Sequence, residues 1–175
     1  GVLAGLNLNI TANREFVEKQ NNRFLMRTVV EGTVEPSVLR AALAEILPAD
    51  HILKINTGEL QNIVIMVTKE EHCLTELISK YYFGNLKVNI VAVIGNHEHL
   101  KAYTEKFNIP YHFISHEGKS REIHEAELLK CLNEHKPDYI ILAKFMRILS
   151  EQFTAQYPSK MINIHHSFLP AFKGA

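Results

Sequence analysis

Short apolar runs alternate with amphipathic stretches over the later two thirds of the chain. Ile63-Val64-Ile65-Met66-Val67 has no polar position and is rich in β-branched side chains, the pattern of a strand buried on both faces. Residues 88–94 and 139–143 repeat it, residues 111–115 form a shorter strand, and residues 161–164 the last. Between them, residues 70–82, 97–107, 120–135 and 150–157 have helical spacing. The second of these helices is halted before Pro110. The third takes Ser120 as its N-cap and turns Ile123, Leu128, Leu129 and Leu132 inward. Ser150 is placed to cap the fourth. Strands alternating with helices predict an α/β fold with a doubly wound parallel sheet. Ligands of such sheets sit at the carboxyl ends of the strands, near the switch in strand order.

The earlier residues follow a different grammar. Residues 7–17 and 23–30 read as strands, joined by the turn-forming Lys19-Gln20-Asn21-Asn22. Residues 36–47 read as a helix, with Pro36 in its first turn and a stripe of Val38, Leu39, Ala42, Leu43 and Ile46. Residues 51–55 complete the set as a further strand. Gly1 to Leu6 look like the tail of a helix. The order α-β-β-α-β predicts a small α+β, ferredoxin-like unit without its first strand. The polar stretch at residues 56–61 is a linker, so residues 1–57 and 62–175 are expected to be separate domains. The chain therefore looks as if it starts inside a folded element.

Charge and composition narrow the partners. Lys plus Arg and Asp plus Glu are 19 each, so the net charge is zero. Nucleic-acid binders carry a basic excess, and none is present. The apolar runs are far shorter than the ~18–20 residues of a membrane span, and no secretory signal is visible. The two cysteines, Cys73 and Cys131, are far apart and lack metal-ligand spacing. Two free thiols in a reducing cytoplasm is the simplest account. No metal centre is expected.

The end of the chain carries the chemistry. In Asn163-Ile164-His165 the side chains at i and i+2 share one face of a strand. One is a neutral hydrogen-bond donor, the other a proton donor or acceptor near neutral pH. A carbonyl under attack needs both. An isolated Asn-x-His is more often a loop entry. Here it continues as His165-His166-Ser167-Phe168-Leu169-Pro170. The whole resembles the Asn-x-His-x-Ser-x-Leu-Pro signature of the folate-dependent formyl-transfer fold, and its doubled histidine resembles the formyltetrahydrofolate deformylase branch. Val67-Thr68-Lys69-Glu70-Glu71-His72-Cys73-Leu74 and Val93-Ile94-Gly95-Asn96-His97 match the same branch.

The resemblance implies hydrolysis of 10-formyltetrahydrofolate to formate and tetrahydrofolate, linked to one-carbon metabolism and purine biosynthesis. It implies catalytic roles for Asn163 and His165, with His166 and Ser167 as further candidates. His166 points to the opposite strand face and reads equally as a packed or solvated residue. Leu142, Met146, Arg147, Ile148, Leu149 and Phe153 are implied to line the folate pocket; alone, the apolar ones read as core filler. The family's aspartate is expected beyond residue 175, because neither Asp50 nor Asp138 lies in a matching context. Either the chain is a fragment or the protein is inactive. The first domain resembles an ACT domain, which implies an amino-acid effector or a plain oligomerisation role, and a homo-oligomer. No cofactor is implied, since the folate is substrate. Transferases of the family place a glycine-rich loop after the first strand to hold a nucleotide phosphate. Residues 68–73 contain no glycine and carry Glu70 and Glu71, which favours water as acceptor. The alternatives are a glycinamide ribonucleotide formyltransferase and a non-catalytic folate or amino-acid sensor.

Overall fold

The computed structural model describes residues 1–20 and 22–163, in two units: Gly1–Glu59 and the chain from Leu60 onward. The first unit contains α1 (Val2–Gly5), β1 (Asn9–Glu18), β2 (Arg23–Glu31) and α2 (Pro36–Ala44). β1 and β2 pair antiparallel from Asn9↔Glu31 to Glu18↔Arg23, with a bulge between Ile10 and Ala12. Across that ladder the Thr28 hydroxyl donates to Asn13 Oδ1 at 2.8 Å. The expected strand at residues 51–55 does not form. Arg40 Nη1 donates to the Leu53 carbonyl at 3.1 Å, so a guanidinium there takes up a backbone acceptor that a ladder would use. α2 also stops at Ala44, three residues short of the expected end. Among the described residues this unit is α-β-β-α, with Leu8 and Leu39 as its buried apolar side chains.

The second unit runs β3 (Gln61–Val67), α3 (His72–Tyr82), β4 (Val88–Gly95), α4 (Lys101–Glu105), β5 (Tyr111–Phe113), α5 (Arg121–His135), β6 (Tyr139–Ala143), α6 (Glu151–Ala155) and β7 (Met161–Asn163). Its strands form a five-stranded sheet in the order β5-β4-β3-β6-β7, every neighbouring pair parallel. The expected doubly wound parallel sheet is present. Strand order reverses between β3 and β6, so the crevice between their carboxyl ends is the switch point.

Alternation along β3 builds both halves of the core. Ile63, Ile65 and Val67 face Leu74 and Ile78 of α3, with Leu100 and Ile109 beyond them. Val64 and Met66 face Leu128 and Leu132 of α5, with Phe145 and Phe153. Fully burying such a side chain contributes about 1.5–3 kcal/mol. No helix among the described residues is long and apolar enough to cross a membrane.

Two helices depart from the periodicity. α4 begins at Lys101, not at residue 97, because the His97 carbonyl accepts from the Tyr111 hydroxyl and the Lys101 amide turns back to the Glu98 carbonyl. In α5 the Ser120 cap forms, its hydroxyl accepting from the Ile123 amide at 3.4 Å. Ile123 itself is exposed, against expectation. The inward stripe is His124, Glu125, Leu128, Cys131 and Leu132, so polar residues occupy positions that a hydrophobic count assigns to Ile123.

Gly95, at the end of β4, is required by packing. A Cβ there would lie 1.7 Å from Tyr111 Oη and 2.5 Å from its Cζ. Gly95→Ala is therefore expected to lower the unfolding free energy by about 1–3 kcal/mol, as overpacking does. Adding Tyr111→Phe, which removes the nearer atom, should recover part of that loss. Urea titrations of the single and double variants check this, and a single variant as stable as the parent would refute it.

Candidate active site

Four loops and one strand end meet the carboxyl side of the sheet. Asn163 ends β7, paired in register with Leu142 of β6, and its side chain is exposed. His165, His166 and Ser167 lie outside the described residues. Asp138 does not join Asn163. It sits before β6 at the amino end of the sheet, where its Oδ2 accepts from the Asn62 amide at 2.8 Å.

The loop after β6 contains the residues implied to line a pocket. Met146, Arg147 and Ile148 are exposed, Ile148 at 82%. Leu142 and Leu149 are half-buried and pack on the α5-side core. Phe153 is only 1% exposed, in the core with Val64, Met66 and Leu128, and presents no surface to a ligand. It supports this loop from behind. Exposed Met and Ile side chains beside a backbone that can read polar edges suit a flat heterocycle.

Three tethers hold the loop. The Met146 amide donates to the Thr68 hydroxyl at 2.9 Å, joining the loops after β3 and β6 across the switch point. Lys144 Nζ lies 3.1 Å from Glu70 Oε2, which is also 3.7 Å from His72 Nδ1. The buried Glu125 of α5 accepts from the Ser150 amide at 2.7 Å and from its hydroxyl at 2.5 Å. Ser150 Oγ in turn accepts from the Phe153 amide at 3.1 Å, capping α6 as the sequence predicts. Glu125 is a positioning residue that the motif missed. Its signal was a carboxylate on the apolar stripe of α5, in register with Leu128 and Leu132.

A polar cluster lines the next loops. Asn96 is 2% exposed, with Nδ2 3.3 Å from His116 Nδ1 and Oδ1 without a partner among the described residues. His116 stacks edge-on against His97 and lies near His124. His124 Nε2 donates to the Ile114 carbonyl at 3.2 Å. Burial, more than the nearby Arg147, His116 and Lys119, holds His124 below its ordinary 6.5, despite the raising effect of the Ile114 carbonyl. Desolvation, then Lys69 and His116, lowers His97 also. Burial raises the Tyr111 phenol to about 12, so it remains the donor to the His97 carbonyl.

Two predictions follow from these contacts. Glu125→Ala orphans the Ser150 amide and hydroxyl, at a cost of about 1–3 kcal/mol. Hydrogen exchange should show a faster Ser150 amide; unchanged protection would remove Glu125 from the positioning role. The second concerns pH. A histidine whose pKa is lower folded than unfolded binds more protons in the unfolded state. Stability is then full above the unfolded value near 6.5 and falls as pH drops from there through the folded pKa, levelling off below it. His124→Gln should reduce this acid-side loss in urea titrations between pH 7.5 and 5. An unaltered pH profile would show that His124 does not contribute.

Comparison with known proteins places these features. The formyl transferase family model matches residues 61–175. The formyltetrahydrofolate deformylase of Escherichia coli K12 is 48% identical over 168 residues, covering 96% of this chain and 60% of that protein. The deformylase of Bacillus subtilis 168 is 38% identical over 171 residues, covering 95% and 57%. The chain thus spans about 60% of the E. coli relative's length. Among solved structures, a formyltetrahydrofolate deformylase from Pseudomonas syringae superposes with TM-score 0.87 at 31% identity, over 99% of this chain and 60% of that one. A phosphoribosylglycinamide formyltransferase from Coxiella burnetii superposes with TM-score 0.62 at 35% identity, over 66% and 56%. The switch-point sheet, the tethered loop after β6 and these matches lead to one assignment: the chain belongs to the formyl transferase family.

Proposed function

We propose that this chain serves an enzyme that hydrolyses 10-formyltetrahydrofolate to formate and tetrahydrofolate. The observation that carries the reading is coverage. Likeness to the Pseudomonas syringae deformylase extends over 99% of the chain, both units included, whereas the Coxiella burnetii transferase matches 66%. Water adds to the formyl carbon, the carbon–nitrogen bond breaks, and the departing folate nitrogen takes a proton. Asn163 donates to the formyl oxygen as charge builds there, and His165 supplies a proton or a charged hydrogen bond. Met146, Arg147 and Ile148 flank the folate ring.

The loop after β3 supports water as the acceptor, and of the two reasons legible in its sequence the missing glycine is stronger than the paired carboxylates. Glu70 is not a lone carboxylate, because Lys144 partly neutralises it. Like-charge repulsion alone is therefore a weaker bar to phosphate than Glu70 and Glu71 imply. The stronger point is that Thr68 and Glu70 are already engaged by the loop after β6, with no glycine to bring free N–H groups together.

Formate release would supply one-carbon metabolism and purine biosynthesis. The first unit would act as an ACT-type module for an amino-acid effector and a homo-oligomer, supported by Phe16, Phe24, Leu25 and Met26, each more than half exposed. Cys73 and Cys131 are free thiols, which supports a reducing, cytoplasmic setting.

The test is a formate-release assay on the full-length protein with 10-formyltetrahydrofolate in water alone. Formate should appear, and glycinamide ribonucleotide should neither speed the reaction nor capture the formyl group. Asn163→Ala and His165→Ala should each lower turnover by ~10²–10³ with a smaller change in folate affinity. Stoichiometric formylated ribonucleotide would establish the transferase instead. Folate binding without turnover in the parent protein would establish the sensor.

A further inference from the structure

On the α5-covered face of the sheet, three potential metal ligands converge that the reaction does not use. His112 lies in edge strand β5, and Cys131 and His135 lie one turn apart on α5. One ligand atom from each falls within 4.8 Å of the other two. The two Nε2 atoms are 2.8 Å apart. The rings themselves are 4.8 Å apart between centroids. We propose that His112, Cys131 and His135 form a binding site for a divalent transition-metal ion of the zinc class, clipping β5 to the carboxyl end of α5.

Three arguments carry it. First, the donor set fits: two imidazoles and a thiolate are borderline-soft ligands suited to zinc. Second, the separations fit. Bond lengths of about 2.0–2.1 Å to nitrogen and 2.3 Å to sulfur place tetrahedral ligand atoms roughly 3.3–3.6 Å apart. The two Nε2 atoms, 2.8 Å apart, need to part by about half an ångström, and the sulfur, with all three ligand atoms inside 4.8 Å, needs to approach by at most about 1.2 Å. Third, the elements are already fixed. Cys131 is buried in the core with Leu128 and Leu132, and i, i+4 spacing presents His135 on the same helix face. His112 is half-buried opposite them.

At 2.8 Å the two imidazoles share one hydrogen, and a cation replaces that hydrogen between them. The imidazole that carried it on Nε2 moves it to Nδ1, and Cys131 gives its thiol proton to solvent. One proton is released per ion. A groove lined by His112, Cys131, Glu127, Lys130 and Glu134 opens the site to solvent. Glu127 is held by Lys119 at 2.5 Å. The fourth position is thus available to water or to the Glu134 carboxylate. His135 lies eleven residues beyond His124, about 16 Å along the helix, so the site is separate from the candidate active site. Its role is to secure a three-residue strand that, among the described residues, lies at the sheet edge and pairs with β4 alone.

The test uses tag-free full-length protein freed of metal by chelation. Cobalt(II) is added as spectroscopic probe and zinc(II) by equilibrium dialysis. The proposal expects one ion per chain at this site, a thiolate-to-cobalt charge-transfer band, and a higher thermal midpoint with zinc. Cys131→Ser should abolish the band, while Cys73→Ser keeps it. Outer-shell changes alone cost 10–100-fold in metal affinity, so His112→Gln and His135→Gln should each weaken binding by about 100-fold or more. Should Cys131→Ser fail to fold, the two histidine variants, checked by circular dichroism, decide the question. No charge-transfer band in the parent, or zinc affinity unchanged in both histidine variants, would overturn the proposal.

Discussion

Burial of β3 on both faces is the constraint on which the second unit depends. Every side chain from Ile63 to Val67 is at most 4% exposed. A strand with that pattern cannot lie at an edge or face water, so helices must cover the sheet on both sides. Its parallel neighbours β4 and β6 require crossover connections, and those connections supply the helices. Parallel strands also bring all their carboxyl ends to one side. The position of the candidate site is thus a consequence of the five apolar residues Ile63 to Val67.

What the sheet places coarsely, polar contacts place finely. Lys144 immediately follows β6 with φ +57°, a region that a residue with a Cβ rarely occupies. The turn is held from three sides. Lys144 pairs with Glu70, Phe145 is buried on the α5 side, and the Met146 amide meets Thr68. The cost of the conformation is of order 1–3 kcal/mol, and it persists where surrounding structure over-determines it. The result is that Met146 and Ile148 point outward from a fixed backbone. Exposed apolar side chains on so firmly tethered a loop are held in place by contacts made elsewhere, not by packing of their own.

The legible parts of the fold were those whose signal is local. Continuous β-branched runs marked β3, β4 and β6, and Ser120 and Ser150 marked two helix starts through their own hydroxyls. The illegible parts depend on partners distant in sequence. The start of α4 is delayed by Tyr111, fourteen residues from His97. Residues 51–55 have strand-like alternation, yet Arg40 engages Leu53 in place of a ladder. Ile123 reads as inward only if His124 and Glu125 are assumed to be outward, and the carbonyl of Ile114 and the backbone of Ser150 reverse that assumption. A motif singled out Asn163 and the loop after β6, and both lie at the carboxyl side of the sheet. Glu125 was not singled out, because its partner is 25 residues away.

The same distinction separates the chemistry of Glu70 from its appearance in sequence. Two adjacent acids before a helix suggest a negative field, and at an effective dielectric of about 20 two like charges 4 Å apart repel by roughly 4 kcal/mol. The fold sets Lys144, only 17% exposed, against one of them. A phosphate approaching Glu70 meets a dipole, not a bare anion, and the repulsion falls accordingly. Any bar to phosphate at this loop then rests more on geometry than on charge. A dianion needs several N–H groups converging on one point, which glycine permits by letting the backbone close in. Here Thr68 and Glu70 instead bind the neighbouring loop across the switch point. Polar groups committed to a neighbouring loop are not free to turn toward an incoming anion, whatever their net charge.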